Sequence, residues 1–270
     1  MTRPIRLTER HVPALEELLL PDPLTNLFLL GYLDAMPIGR THWYGVLDGD
    51  RVVAATVVVA GRLTVPYCPD PDHAEAIAWL LRRRHRPTMM VGPRQATDAI
   101  WRVWGRQTAI DRWYDQRLYA TDTIPDGAPM AGFRRAHPDD LASVMRHAAA
   151  MEEEDLGRSQ DPAAFEATVR RRIENGNTWL AEREGELLFQ INVGTTTPYG
   201  AQVGGTYVPP ELRGRGLATE GMRELSRRLL PRVRHLTLHV NEANTPAVRA
   251  YERSGYRSHC PFRLVTLRDP

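Results

Sequence analysis

The segment Gly204 to Thr219, GGTYVPPELRGRGLAT, constrains the fold more than any other in the chain. Thr206, Tyr207 and Val208 read as the end of a strand. Pro209 and Pro210 follow, and because they lack backbone donors they stop ladder pairing there. Next comes Arg213-Gly214-Arg215-Gly216-Leu217-Ala218, then a helix-like run to Leu230. The glycines allow a tight turn and a close backbone approach to a ligand. The helix opens with unpaired N–H groups at the positive end of its dipole, an arrangement that holds anions. Strand, glycine turn and helix together form a candidate pyrophosphate cradle, to which Arg213 and Arg215 add charge-assisted donors. The segment is not a Walker loop, because no Gly-Lys-Ser/Thr follows. It is not a dinucleotide fingerprint either, because no GxGxxG opens a βαβ unit.

A second informative stretch lies downstream. His235 to Val240 alternates like a strand, and Asn241-Glu242-Ala243-Asn244 leads into a helix-like run ending at Ser254-Gly255-Tyr256. The two stretches, in this order, resemble the GNAT superfamily of N-acetyltransferases. Arg213, Gly216 and Ala218 match the Arg/Gln-x-x-Gly-x-Gly/Ala of its coenzyme A loop. Asn244, Ala247, Tyr251, Gly255 and Tyr256 match its Asn-x-x-Ala-x-x-x-Tyr-x-x-x-Gly-Phe/Tyr. The resemblance covers residues 131–270.

The resemblance implies an acyl-CoA co-substrate, acetyl-CoA by default, and direct transfer to a primary amine in a ternary complex without a covalent enzyme intermediate. It implies that the pyrophosphate meets the amides of Gly214, Arg215, Gly216, Leu217, Ala218 and Thr219. The pantetheine arm would pair with the backbone of Thr206, Tyr207 and Val208, and the Val208 N–H would polarise the thioester carbonyl. Tyr251 takes the family's general-acid position, and a phenol of pKa about 10 suits a thiolate leaving group. Asn244 either holds the pantetheine region or caps its own helix. The sequence departs from the family at the base. Many members carry a glutamate on the fourth strand, whereas Gly200 to Gly205 has no carboxylate; Gln202 there can orient water but cannot take a proton at neutral pH. Met151 to Gln160 reads as a loop whose Glu152, Glu153, Glu154 and Asp155 are the acidic candidates. Glu153 or Glu154 is expected to bind the acceptor, and the identity of the base stays open.

The chain of 270 residues is long enough for two domains. The second half reads β-α-α-β-β-β-α-β-α-β-β, the order the resemblance implies, with Asp161-Pro162 opening a helix to Glu174 and a turn at Glu184-Gly185. The first half repeats the plan. Ile5-Arg6 with Val12, Leu15 and Leu18 echoes Phe133-Arg134 with Leu141, Val144 and Met145, and the Trp43 hairpin echoes the Trp179 hairpin. Where the second half has its cradle, however, the first has LTVPYCPDP, without Arg-Gly-x-Gly. The expected fold class is therefore α/β: two tandem GNAT-like units, each a mixed, mostly antiparallel sheet flanked by helices. Residues 1–125 are the degenerate unit, residues 131–270 the catalytic one, and Asp122 to Ala131 the linker.

Other functions find little support. Cys68 and Cys260 are too few for a disulfide framework. The longest apolar run, Val52 to Ala60, is far too short for a bilayer, and the N-terminus lacks a secretion-signal core, so the reading is cytoplasmic with no membrane partner. All basic residues besides histidine are arginine, yet the formal net charge is only +2. The arginines cluster on helix-like segments without forming the stripe that nucleic-acid binding needs, so no nucleic-acid partner is expected. His235 and His239 share a strand face at a separation of about 13 Å, too far for a shared metal; no metal is expected. The anticipated partner is a small-molecule or peptide amine. Two alternatives remain: a GNAT-like module that senses acyl-CoA or an amine without turnover, and a tRNA-associated acyltransferase.

Overall fold

In the computed structural model, residues 4–60, 62–85, 87–104, 110–156 and 161–267 are described. The first half runs β1 (Ile5–Arg6), α1 (Val12–Leu19), α2 (Leu27–Ala35), β2 (His42–Asp48), β3 (Arg51–Val59), β4 (Leu63–Tyr67), α3 (Ala74–Arg84), β5 (Met89–Pro93), α4 (Arg94–Trp104) and β6 (Ile110–Thr121). The second runs β7 (Phe133–Arg135), α5 (Leu141–Leu156), α6 (Pro162–Glu174), β8 (Thr178–Arg183), β9 (Glu186–Thr197), β10 (Gly200–Tyr207), α7 (Leu217–Leu229), β11 (Leu236–Asn241), α8 (Thr245–Arg253) and β12 (Arg257–Leu267). The two successions are the same, β-α-α-β-β-β-α-β-α-β. The pairing repeats as well. β1 to β4 pair antiparallel in sequence and β4 meets β5 in parallel; β7 to β10 pair antiparallel in sequence and β10 meets β11 in parallel. The fold is thus mixed α/β and internally repeated.

Local chemistry accounts for the elements. Both hairpins, β2–β3 and β8–β9, close over two residues, Gly49-Asp50 and Glu184-Gly185. Gly49, Glu184 and Gly185 sit at φ of 60°, 54° and 83°, as tight hairpin turns demand. The Asp161 carboxylate caps α6 by accepting the Ala164 N–H at 3.1 Å, with Pro162 at the first helical position. Gly176, at φ 66°, ends that helix. In α7, Gly221 lies under the Phe189 ring of β9, where a Cβ would come within 2.5 Å of ring carbon.

Two compact units emerge, each discontinuous in sequence. One comprises residues 1–119, 239–244 and 258–270, the other residues 120–238 and 245–257. In the first, β12 pairs antiparallel with β5 from Phe262 to Thr266, and Val265 and Leu267 join the core of Tyr44, Val46, Ile77, Leu81 and Ile100. A single cut near residue 125 misses this exchange. The sequence suggested two strands after Tyr256; a single strand, β12, runs from Arg257 to Leu267 instead, with Pro261 inside it. In the second unit, Val144, Ala148, Phe165, Val169, Ile173 and Leu180 form the core between α5, α6 and the sheet.

The stretch after β6, from Asp122 to Gly132, has no helix or strand. It is nevertheless pinned to α7. Arg227 donates to the carbonyls of Pro125 and Ala128 at 3.4 and 3.0 Å, and Glu224 accepts the Met130 N–H at 3.3 Å. Among the described residues no helix is long and apolar enough to cross a membrane.

Candidate functional site

The cradle lies within the second unit. β10 carries bulges on either side of its Val203–Gly204 pairs with β9, and Gly205 takes φ 65° inside the second. The parallel ladder to β11 holds at Ala201–Leu236 and Gln202–Thr237, and β10 runs on to Tyr207 beyond it. The last part of β10 therefore keeps its pairing to β9 and leaves the other edge open to an added strand. Beyond it, a short turn from Pro210 to Leu212 leads to Gly214 at φ 76° and Gly216 at φ 84°. Those angles, more than crowding, require glycine: a Cβ at Gly214 would meet nothing within 4 Å, and one at Gly216 only Glu220 Oε1 at 3.9 Å.

Gly216 is the N-cap residue of α7, and no side chain caps the helix. Among the described residues no protein acceptor meets the N–H groups of Gly214, Arg215, Gly216, Leu217, Ala218 or Thr219; the first bond of the helix is Glu220 N–H to the Gly216 carbonyl at 3.0 Å. The Val208 N–H likewise has no acceptor there. These donors can receive an anion and an oxyanion without first breaking a protein contact. The matching corner of the first unit is closed. There Asp70 accepts the Asp72 N–H at 3.0 Å, so a carboxylate of the chain itself takes the donor, and Pro71 stands in place of glycine.

The arginines are engaged. Arg213 Nε donates to the Val208 carbonyl at 3.0 Å, and its Nη2 reaches both Glu154 oxygens at 2.9 and 2.8 Å. Its guanidinium stands 5.6 Å from the centre of the Tyr207 ring. Burial, and then Glu154, raise the Tyr207 phenol's pKa above its usual value, with Arg213 opposing. Arg215 donates to the Glu211 carbonyl at 3.1 Å.

The segment expected to be a loop at Met151 continues as α5 to Leu156, because MEEEDL is good helix-forming composition with no glycine or proline. Glu153 and Glu154 are therefore exposed side chains of one helical turn. Glu154 faces Arg213, while Glu153 makes no ion pair among the described residues. The Asp155 side chain and residues 157–160 lie outside the described residues.

Tyr251 is buried on α8, with its ring 6.4 Å from that of Tyr256. The end of α8 is tied to the cradle helix, since Ser254 Oγ donates to the Thr219 carbonyl at 3.3 Å and Arg223 of α7 donates to the Arg253 carbonyl at 2.7 Å. One compact unit thus gathers Thr206 to Thr219, Glu153, Glu154 and Tyr251. Asn244 falls in the other unit; it is exposed and donates its N–H to the Asn241 carbonyl at 2.9 Å.

Two residues had no motif to announce them, His147 of α5 and Gln190 of β9. Gln190 left one trace, a glutamine inside the apolar run LLFQINV. Its amide is fully buried, and neither end has a partner among the described residues.

Residues 141–256 match the acetyltransferase (GNAT) family, and this part of the chain is a GNAT domain. No curated protein matches the chain. Solved structures share the fold over nearly its whole length. A GCN5-related N-acetyltransferase from Sphaerobacter thermophilus is 18% identical with a TM-score of 0.66, the match covering 97% of this chain and 94% of that one. A Drosophila protein is 14% identical with a TM-score of 0.70, covering 99% and 98%. A tandem GNAT protein from the clavulanic acid biosynthesis pathway is 17% identical with a TM-score of 0.57, covering 100% and 99%.

Proposed function

We propose that the GNAT domain is an acyl-CoA-dependent N-acyltransferase, with acetyl-CoA the default donor, that acylates a primary amine by direct attack. The observation that carries this reading is the row of unclaimed amides from Gly214 to Thr219 at the start of α7. A diphosphate there would gain several charge-assisted hydrogen bonds at a helix N-terminus. The open edge of β10 suits the amide-bearing pantetheine arm, which brings the thioester carbonyl toward the Val208 N–H. Tyr251 is assigned the protonation of the departing thiolate, and Asn244 contact with the pantetheine region. When the donor binds, Arg213 turns part of its guanidinium from Glu154 to phosphate. That exchange is cheap, because both side chains are nearly half exposed and such a pair is worth about 1 kcal/mol or less. Glu153 and Glu154 stay assigned to the acceptor side as charges that draw in an ammonium.

The direct test monitors free thiol from acetyl-CoA and longer acyl-CoAs against free amino acids, a peptide with a free N-terminus, spermidine and an aminoglycoside. Acyl transfer to at least one amine is expected. Calorimetry showing no affinity for any of the acyl-CoAs contradicts the reading, and donor binding with no thiol release across the panel favours a sensing module.

A further inference from the structure

The face of the second unit's sheet beneath α5 and α6 carries polar groups that its own packing does not use. Leu180, Gln190 and Tyr207 are cross-strand partners on β8, β9 and β10, so their side chains leave the sheet on the same side. Leu180 lies in the α5–α6 core, which identifies that side as the one the helices cover. Gln190 is fully buried there, with both amide atoms unpartnered among the described residues. The His147 ring of α5 stands 5.2 Å from the Tyr207 ring, and its Nδ1 is enclosed and unpartnered as well. Close by, the Gly205 bulge lets backbone approach Asn192 Nδ2 to where a Cβ would fall 2.6 Å away, and Met151 Cε would lie at 3.7 Å. Asn192 Oδ1 is already held by the Thr178 hydroxyl at 2.8 Å.

A buried polar group left unpaired forfeits its hydration without recovering it in the fold, so a leucine would serve a purely structural position better than Gln190. A polar side chain kept at that cost, cross-strand from a Tyr207 whose ring meets an imidazole with an unused nitrogen, marks a place for a polar guest. That cross-strand partner, Tyr207, directly precedes Val208, whose N–H is the proposed oxyanion donor.

Resting on the acyltransfer reading, we propose that Gln190 and His147 form the amine site: the Gln190 carbonyl accepts an N–H of the acceptor, and the His147 imidazole takes the proton that frees its lone pair. An ammonium nitrogen must lose two protons to become an amide. One goes to His147 and from there to solvent. As the N–C bond forms and the C–S bond breaks, Tyr251 gives its proton to the thiolate; the nitrogen's second proton leaves to solvent, and the Tyr251 phenolate takes one back from solvent, so one proton is released overall. The groups around the imidazole agree with this role. Burial first, and Arg146 next to it on α5, hold its pKa below 6.5, while Glu211 from the turn after β10 opposes them. Tyr207 faces it from β10, and the Arg213 guanidinium, paired with Glu154, stands 5.6 Å from the centre of that ring. The imidazole is therefore neutral at pH 7 and able to accept.

The test uses the full chain with labelled histidine rings and glutamine side-chain amides, followed by NMR with desulfo-coenzyme A present. Glycine, spermidine, an alanine-terminated peptide and kanamycin serve as probes. At least one amine is expected to move both the His147 and the Gln190 signals. For that amine His147→Gln and Gln190→Leu should each lower kcat/KM at least tenfold with acetyl-CoA affinity unchanged. The acid limb of the wild-type pH profile, with its midpoint below 6.5, should be absent in His147→Gln. If no amine moves either signal, or if His147→Gln keeps the wild-type rate and pH profile, the proposal is overturned. If an amine moves both signals while acetyl-CoA fails to bind, the amine site stands and the donor reading falls.

Discussion

On the acyltransfer reading, Tyr251 is assigned the most chemistry for its size. It is buried, on a helix whose last turn bonds to the Thr219 carbonyl through Ser254, so its ring is held relative to the cradle helix. Tyr251→Phe keeps the ring and removes the proton. We expect kcat to fall 100-fold or more, within the usual range of about 10²–10⁴ for a lost general acid, with acetyl-CoA affinity changed by less than threefold in calorimetry; an unchanged kcat would remove the residue from its role. The glycines allow a similar test. Gly216→Ala places a Cβ at φ 84° in otherwise open space, so it acts through backbone strain alone. It should weaken acetyl-CoA binding about tenfold, a cost of about 1.4 kcal/mol, and lower the melting temperature by only about 2 to 4 °C, the shift that roughly 1 kcal/mol of strain brings. At this scale the sequence was legible wherever chemistry depends on backbone, because glycine and proline constrain φ locally. It marked Gln190 only as a lone glutamine in an apolar run and did not mark His147, because their meaning comes from a cross-strand register and a ring contact between residues far apart in the chain.

At the scale of elements, α7 does two jobs. Its first turn offers the free amides, and its far half holds Glu224, whose side chain is only 3% exposed and is bridged by Arg227 at 2.7 Å and Arg228 at 2.8 Å. Burial alone would raise the pKa of that carboxyl. The hydrogen bonds from Arg228, Arg227 and the Met130 N–H outweigh it and bring the pKa below 4.5. A carboxyl with a depressed folded-state pKa contributes its full stability above the unfolded value and loses it as pH falls through the folded one. We expect Glu224→Gln to cost about 1 to 3 kcal/mol at pH 7 in urea unfolding, by loss of charge-assisted hydrogen bonds. The difference from wild type should shrink below pH 4.5, and a gap that stays constant down to pH 3 would contradict the assignment. Elements with local punctuation, such as α6 between Asp161 and Gly176, could be read from the sequence to within a residue. The end of α5 could not. Its acidic run looks like a loop by charge, yet it has ordinary helix propensity and one carboxylate in contact with Arg213.

For the whole molecule, the repeat was visible in the sequence but the strand exchange was not. Two hairpins with the same turn logic announce a duplication, whereas the partner of a terminal strand depends on which edge is free, and sequence carries no local mark of that. β12 belongs with β5, where Val265 and Leu267 are buried and Arg263 donates two hydrogen bonds to Asp98 at 2.8 and 3.0 Å. Ending the chain at Arg257 should therefore damage the unit that contains the N-terminus. Each of those two side chains contributes about 1.5 to 3 kcal/mol by burial alone, so the truncated chain should lose its cooperative melt by circular dichroism; a melting temperature within 2 °C of the full chain's, roughly the shift expected for less than 1 kcal/mol, would contradict the exchange.

On the acyltransfer reading, a thioester carrier lays its diphosphate on the amides opening α7. Backbone amide NMR of the full chain, titrated with acetyl-CoA, tests it most directly. The prediction is saturable shifts that are largest for Gly214, Gly216, Leu217, Ala218 and Thr219, repeated by coenzyme A and much weaker with dephosphorylated pantetheine. Saturable binding that leaves those amides unmoved, or no binding at all, would contradict it.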